Sequence, residues 1–176
     1  PRTAPDNRFD VLAEASLVNE GLTHDNPGTA VRPPRLYLGA LVAGIVLGLI
    51  WSAPIVSDAP TGRIVVGLAI VAAGVWLMSI AMKLFSTAGT NVPTHLPVTA
   101  LVTDGPYRYT RNPIYVALTL IYVGLAVLAN TMWALVLLVP VLAVMHYGVV
   151  AREEAYLERK FGADYAKYRE QVARWL

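Results

Sequence analysis

No cysteine occurs among the 176 residues. Its absence excludes disulfides, thiolate nucleophiles and zinc sites built on cysteine, and leaves the redox compartment open. Charge is scarce too: Asp, Glu, Lys and Arg make up 15% of the chain, with a formal sum of +2. So small an excess leaves no electrostatic footprint for nucleic acid. The first residues lack the basic-then-apolar pattern of a secretory signal, so the first apolar span is expected to persist in the mature protein. What fills the chain instead is hydrophobicity. Apolar residues account for 56%, against about 45–50% in soluble domains, and the mean hydropathy is +0.51. That is the composition of a membrane protein, and the length suits one domain.

Residues 1–34 form a polar segment rich in Pro, Asn and Asp. Within it Phe9, Leu12, Ala13 and Ser16 share a helical face while Val11 and Leu17 fall off it, so an interfacial helix and disorder are both compatible with the pattern. Residues 35–176 read as a transmembrane domain, all-α, with four spans. Residues 36–56 carry no charge and are long enough for a hydrocarbon core of about 30 Å. A turn holding Pro60 and Gly62 leads to a second uncharged run over 64–82, ended by Lys83. From Arg111 to Arg152 there is no formal charge, too long a block for one helix at about 1.5 Å per residue. Ala129-Asn130-Thr131 divides it into a third span over 113–128, which Pro113 suits as a helix start, and a fourth over 132–150. Pro140 predicts a kink in the fourth. Gly39, Gly44 and Gly48 in the first span, with Gly67 and Gly74 in the second, offer close helix approach, or reflect only the frequency of glycine in membrane helices.

Basic residues set the expected orientation. Arg32 and Arg35 precede the first span, Lys83, Arg108 and Arg111 lie between the second and third, and six more follow the fourth, whereas the opposite turns offer only Arg63. Both termini and the central loop are therefore expected on the cytoplasmic side of an inner or plasma membrane. Beyond Ala151 the tail is charged and helical in pattern. Gly162 is a plausible break and Asp164 a cap for a second short helix bearing Tyr165, Tyr168, Val172 and Trp175, aromatic residues suited to the interface.

The long polar interruption is Thr99 to Tyr115, rich in turn formers, tyrosine and arginine. The order Leu-Val-Thr-x-Gly-Pro-Tyr-Arg-x-x-Arg-Asn-Pro-x-Tyr, two hydrophobic spans, Glu153-Glu154, then Phe-Gly-x-x-Tyr-x-x-Tyr resembles the isoprenylcysteine carboxyl methyltransferase family. That family sits in a wider group of membrane methyltransferases that includes phospholipid N-methyltransferases. The resemblance implies an S-adenosylmethionine site, with S-adenosylhomocysteine as product, on Thr99, Ala100, Leu101 and Val102, on Tyr107, on Asn112, Pro113, Ile114 and Tyr115, and on Glu153. Gly105 within the motif and Glu154 beside Glu153 are taken with them. The family has His where this chain has Thr99 and Asn112, and a substrate-binding Arg where it has Val149; Arg152 stands nearby as a substitute.

The residues themselves are compatible with that chemistry. A carboxylate at a span end is costly unless solvated or partnered, so Glu153 either turns inward to accept from ribose hydroxyls or an ammonium, or belongs to a solvated pair at the membrane border. Backbone groups of Leu101 and Val102 suit an adenine, and Tyr107 both stacks and hydrogen-bonds. His95 is a candidate base or a solvated loop residue, Arg108 or Arg111 a candidate for an anionic head group, and His146 a packing or hydrogen-bonding residue. Methyl transfer from sulfonium is in-line displacement, which asks for positioning and desolvation and no metal. The acceptor, a lipid or lipid-modified molecule, is expected to come sideways from the bilayer. Two rival readings are a nicotinamide-dependent membrane reductase, since sterol reductases resemble this C-terminal pattern, and a non-enzymatic lipid-binding module.

Overall fold

Proline sets three of the helix starts. In the computed structural model, which describes residues 28–29, 31–57, 59–90 and 98–176, α1 (Pro33–Ile50), α2 (Pro60–Thr87) and α3 (Pro113–Ala129) each begin with proline, where its missing N–H forfeits no intrahelical bond. The apolar run around Phe9 and the candidate base His95 lie outside the described residues. The rest of the chain forms α4 (Met132–Val144), a π-helical segment (Met145–Val150), α5 (Ala151–Phe161) and α6 (Ala163–Gln171). No strand occurs among the described residues.

Among the described residues three helices are long and apolar enough to cross a membrane: α1, α2 and the continuous rod Met132–Phe161, while the apolar α3 is shorter at 17 residues. Several boundaries differ from expectation: α1 begins at Pro33, and α2 begins at Pro60, so Gly62 lies in its first turn and not in the connecting turn. α1 stops at Ile50, not at residue 56, and Trp51 is extended; Pro54 follows closely and disfavours helical backbone at the residue before it. α2 runs past Lys83 to Thr87, because an exposed lysine lays its stem along the helix and carries its charge outward. At 28 residues it is about 42 Å long, so it overshoots the hydrocarbon core and delivers Phe85 to the loop beyond. Pro140, where a kink is expected, lies within α4 and does not end it. The helix continues through this exposed proline, and the irregularity is the π-helical segment that follows.

Polar side chains close the turns at the other end. Asn130 adopts left-handed backbone (φ 54), which asparagine tolerates. Its Oδ1 accepts from the Ile55 and Val56 N–H groups and its Nδ2 donates to Val56 O, at 3.0–3.1 Å. Arg63, the lone cation of these turns, donates to the carbonyls of Val127 and Leu128, where the α3 dipole favours positive charge.

α2 lies along α3, and α1 leans on α4 and α3, with at most marginal contact between α1 and α2. Glycines permit these approaches, though on different partners. A Cβ on Gly44 would stand 2.5 Å from Ala134 Cα in α4, whereas one on Gly124 of α3 would stand 2.9 Å from Gly67 O in α2. Gly39 has nothing within 4 Å. Gly124→Leu is therefore expected to part α2 from α3 and to cost about 1–3 kcal/mol, read as a lower Tm in detergent, while Gly39→Ala leaves Tm unchanged or raises it. Between the helices the hydroxyl of Tyr37 bonds Thr119 Oγ1 at 2.8 Å and that of Tyr122 donates to Ala134 O at 2.7 Å, so these buried tyrosines leave no polar group stranded.

Candidate functional site

The loop after α2 ends in a 3₁₀ turn, Gly105–Arg108. Gly105 has φ +60, a backbone conformation that favours glycine, and a Cβ there would press on the end of the Leu84 side chain, Cδ1, at 2.8 Å. The turn buries Tyr107, whose ring centroid lies 5.5 Å from that of Phe85. α6 then latches onto the turn, because Tyr168 OH donates to Tyr107 O at 2.7 Å. Two expectations about this tail are corrected. Asp164 does not cap α6; Gly162 (φ +52) stands at the N-cap with no side-chain bond, and Asp164 sits in the first turn, where a carboxylate complements the dipole. Tyr165 and Tyr168 are buried, not displayed at the interface, because they pack inward under the loop.

Between the ends of α1, α2, α3 and α5 and the inner face of α6 lies a cavity of about 560 Å³. Most of the anticipated residues reach it. Ala100, Leu101 and Val102 line it from the loop, Tyr107 from the 3₁₀ turn, Arg111 through Tyr115 from the start of α3, and Glu153 and Glu154 from α5. Others do not line it. Thr99 donates its hydroxyl to Gly89 O at 3.0 Å, Gly105 shapes the turn, and Arg152 reaches outward to Gly28 O at 2.8 Å. Arg108 pairs with Asp104 at 2.9 Å on the surface. The cavity also takes residues the sequence reading assigned elsewhere: Arg32 and Arg35, used only for orientation; Met82 and Phe85, which carried no signal; and the motif tyrosines Tyr165 and Tyr168 with Tyr156.

The two glutamates have separate duties. Glu154 is buried and held from both sides, by Arg111 Nη1 at 3.0 Å and by Arg174, whose Nε and Nη2 reach its two oxygens at 3.1 and 2.5 Å. This fork fixes the C-terminal tail, whose carbonyls complete the junction: Ala173 O accepts from Arg111 N–H at 2.9 Å, and Arg174 O accepts from Asn112 Nδ2 at 2.9 Å and Thr110 Oγ1 at 3.2 Å. His146 adds a packing and hydrogen-bonding support. Its Nε2 meets Arg174 Nη1 at 2.8 Å, and Trp175 Nε1 approaches Nδ1 at 3.1 Å; a neutral imidazole has one unprotonated nitrogen, so it accepts from one of these donors.

Glu153 has no such cation among the described residues. It lies in the charged extension beyond the apolar run that ends at Val150, and Tyr115 OH donates to its Oε1 at 2.5 Å. Burial pushes its carboxyl up to about 7, the Tyr115 hydrogen bond opposing and the neighbouring Glu154 adding to the rise. Burial likewise raises the Tyr107 and Tyr168 hydroxyls well above the ordinary phenol range, so both stay neutral donors. Three groups at the cavity are left uncommitted by the protein. Among the described residues the Tyr107 hydroxyl has no partner, the backbone groups of Leu101 and Val102 make no hydrogen bond, and Glu153 Oε2 accepts none. A donor, two peptide edges and an acceptor beside apolar walls fit a nucleoside with a cationic side arm.

The phospholipid methyltransferase family matches residues 62–164, more than half of the chain. The chain belongs to that family. Phospholipid methyltransferases form part of the integral membrane methyltransferase group that includes the isoprenylcysteine enzymes, in accord with the motif order. An uncharacterized protein of Haemophilus influenzae is 38% identical over 64 residues, 36% of this chain and 100% of that protein. No solved structure matches. For this phospholipid methyltransferase family member the matched region contains α3, α4, α5 and the loop with the 3₁₀ turn, and so most of the cavity wall.

Proposed function

We propose that the protein is an S-adenosylmethionine-dependent methyltransferase that acts on a lipid head group from the cytoplasmic side of a four-span bundle, with α3 as the third span. The observation that carries this reading is the cavity shared by the tyrosine-bearing loop and Glu153. Bound there, S-adenosylmethionine supplies an electrophilic methyl group on its sulfonium. Leu101 and Val102 offer peptide edges to the adenine, Tyr107 a neutral hydroxyl and a π face for a cation, and Glu153 a carboxylate acceptor oriented by Tyr115. Apolar walls exclude water, which strengthens each polar contact. A head group is favoured over a prenylcysteine carboxylate because Val149, at the place of the expected arginine, is fully buried, and Arg152 points away.

Calorimetric titration of the detergent-solubilised protein tests the cofactor. Saturable binding of S-adenosylhomocysteine with none of NADPH is expected; NADPH binding alone would move the assignment to a reductase. Neither ligand binding, with lipid association intact, would leave a lipid-binding module. Incubation with labelled methyl donor and membrane lipids is expected to place label in a base-stable lipid product, and a base-labile label would point to an ester.

A further inference from the structure

We propose that Arg32 and Arg35, together with the cleft between α1 and α2, bind a membrane amphiphile by its anionic group and its chain, forming the acceptor half of the cavity. The charge inventory leads there. Arg108 is spent on Asp104, and Arg111 and Arg174 on Glu154. Arg32 and Arg35 line the same cavity, are exposed, and have no side-chain partner among the described residues. They stand at the start of α1, whose first turn holds no acidic residue, so the helix dipole adds to the positive field. Guanidinium groups match phosphate and carboxylate oxygens in a two-pronged geometry.

The apolar part of the site says that the anion belongs to an amphiphile. α1 and α2 both lean on α3 and scarcely touch, which leaves a lateral gap over the first turns of α3. The cavity reaches this gap through Pro34, Met82, Ile114 and Leu118. Met82 lies five residues before the end of α2 and Leu118 five after the start of α3, so the wall descends roughly 7 Å along the helices. A soluble anion has no use for such a wall, whereas an acyl or prenyl chain lying in it places its charged end beside the arginines. The sequence reading gave the anion to Arg108 or Arg111; their engagement elsewhere transfers it to the α1 pair.

The test uses the full chain in phosphatidylcholine nanodiscs doped with a phosphatidic acid that carries a photoactivatable acyl chain. Labelling is expected at Met82, Ile114 and Leu118, and to fall on the order of tenfold in Arg32→Gln/Arg35→Gln, with partial recovery in Arg32→Lys/Arg35→Lys and unchanged affinity for S-adenosylhomocysteine. Dodecyl phosphate should compete far better than inorganic phosphate. Labelling spread over lipid-facing Leu49 and Trp76, equal labelling in the double glutamine variant, or equal competition by inorganic phosphate would overturn the proposal. The inference rests on the methyltransferase reading only for the word acceptor. Intact labelling without S-adenosylhomocysteine binding would remove that reading and leave the amphiphile site standing.

Discussion

Glu154→Leu is expected to produce the largest loss of stability of any single substitution in the loop-and-tail region, about 3–5 kcal/mol. Glu154 neutralises Arg111 and Arg174 together, with side-chain exposures of 11% for the carboxylate and 10% for Arg111. Removing it leaves two cations facing each other, Arg111 where little water reaches it and Arg174 with a side chain 30% exposed. The effect should propagate along the backbone, because the tail carbonyls of Ala173 and Arg174 hold Arg111 and Asn112 at the start of α3. Hydrogen exchange is expected to quicken at residues 108–115 and 172–176 together, with Tm falling in detergent. The informative comparison is Arg111→Met/Glu154→Leu/Arg174→Met, in which no charge is stranded. That triple variant should recover most of the lost Tm, as apolar replacements of buried ion clusters do. An unchanged Tm in Glu154→Leu, or one that drops further in the triple variant, would show that the cluster does not hold the tail.

The helical scaffold was legible because membrane helices are written in long uncharged runs, and each of α1 to α4 shares most of its length with one such run. Their ends were less so. The reach of α2 to Phe85 depends on Lys83 being tolerated in mid-helix, and the close of α1 on a proline four residues on, neither of which hydropathy registers. The pairing of loop and acidic residues was readable from motif order alone. The division of labour between the acids was not. Adjacent residues on a helix point about 100° apart, so one glutamate necessarily faces differently from the other, but which one meets the arginines depends on the azimuth of α5. The π-helical segment Met145–Val150 sets that azimuth, and nothing in its composition announces it. The tail was misread for a related reason. Aromatic residues near a membrane border suit an interface and a buried lid equally well, and only the fold-back of α6, fastened by Tyr168 on Tyr107, decides between them.

Glu153→Gln should separate binding from stability by moving them in opposite directions. The folded carboxyl holds its proton up to about 7, against an ordinary 4.5, so between these values the folded state carries more protons than the unfolded chain. Stability from this group is therefore greatest below the ordinary carboxylate range, falls as pH climbs through the window, and levels off above about 7, a loss on the order of 2 kcal/mol for a partly buried side chain. Glutamine keeps the shape and loses the charge, so the variant is expected to melt higher than the parent at pH 8 and to match it near pH 4. Binding follows the reverse course. The ionised form is the one that accepts hydrogen bonds from a ribose or an ammonium, so affinity for S-adenosylhomocysteine should rise as pH passes through about 7. In Glu153→Gln it should be weaker at pH 8 by at least about tenfold, with no remaining slope. Tyr115→Phe removes the hydroxyl that steadies the carboxylate and should shift the midpoint of that slope to higher pH while preserving its sign. Equal affinity in parent and Glu153→Gln at pH 8 would falsify a cofactor role for this carboxylate, and a lower melting temperature in the variant would show that its charge is structural.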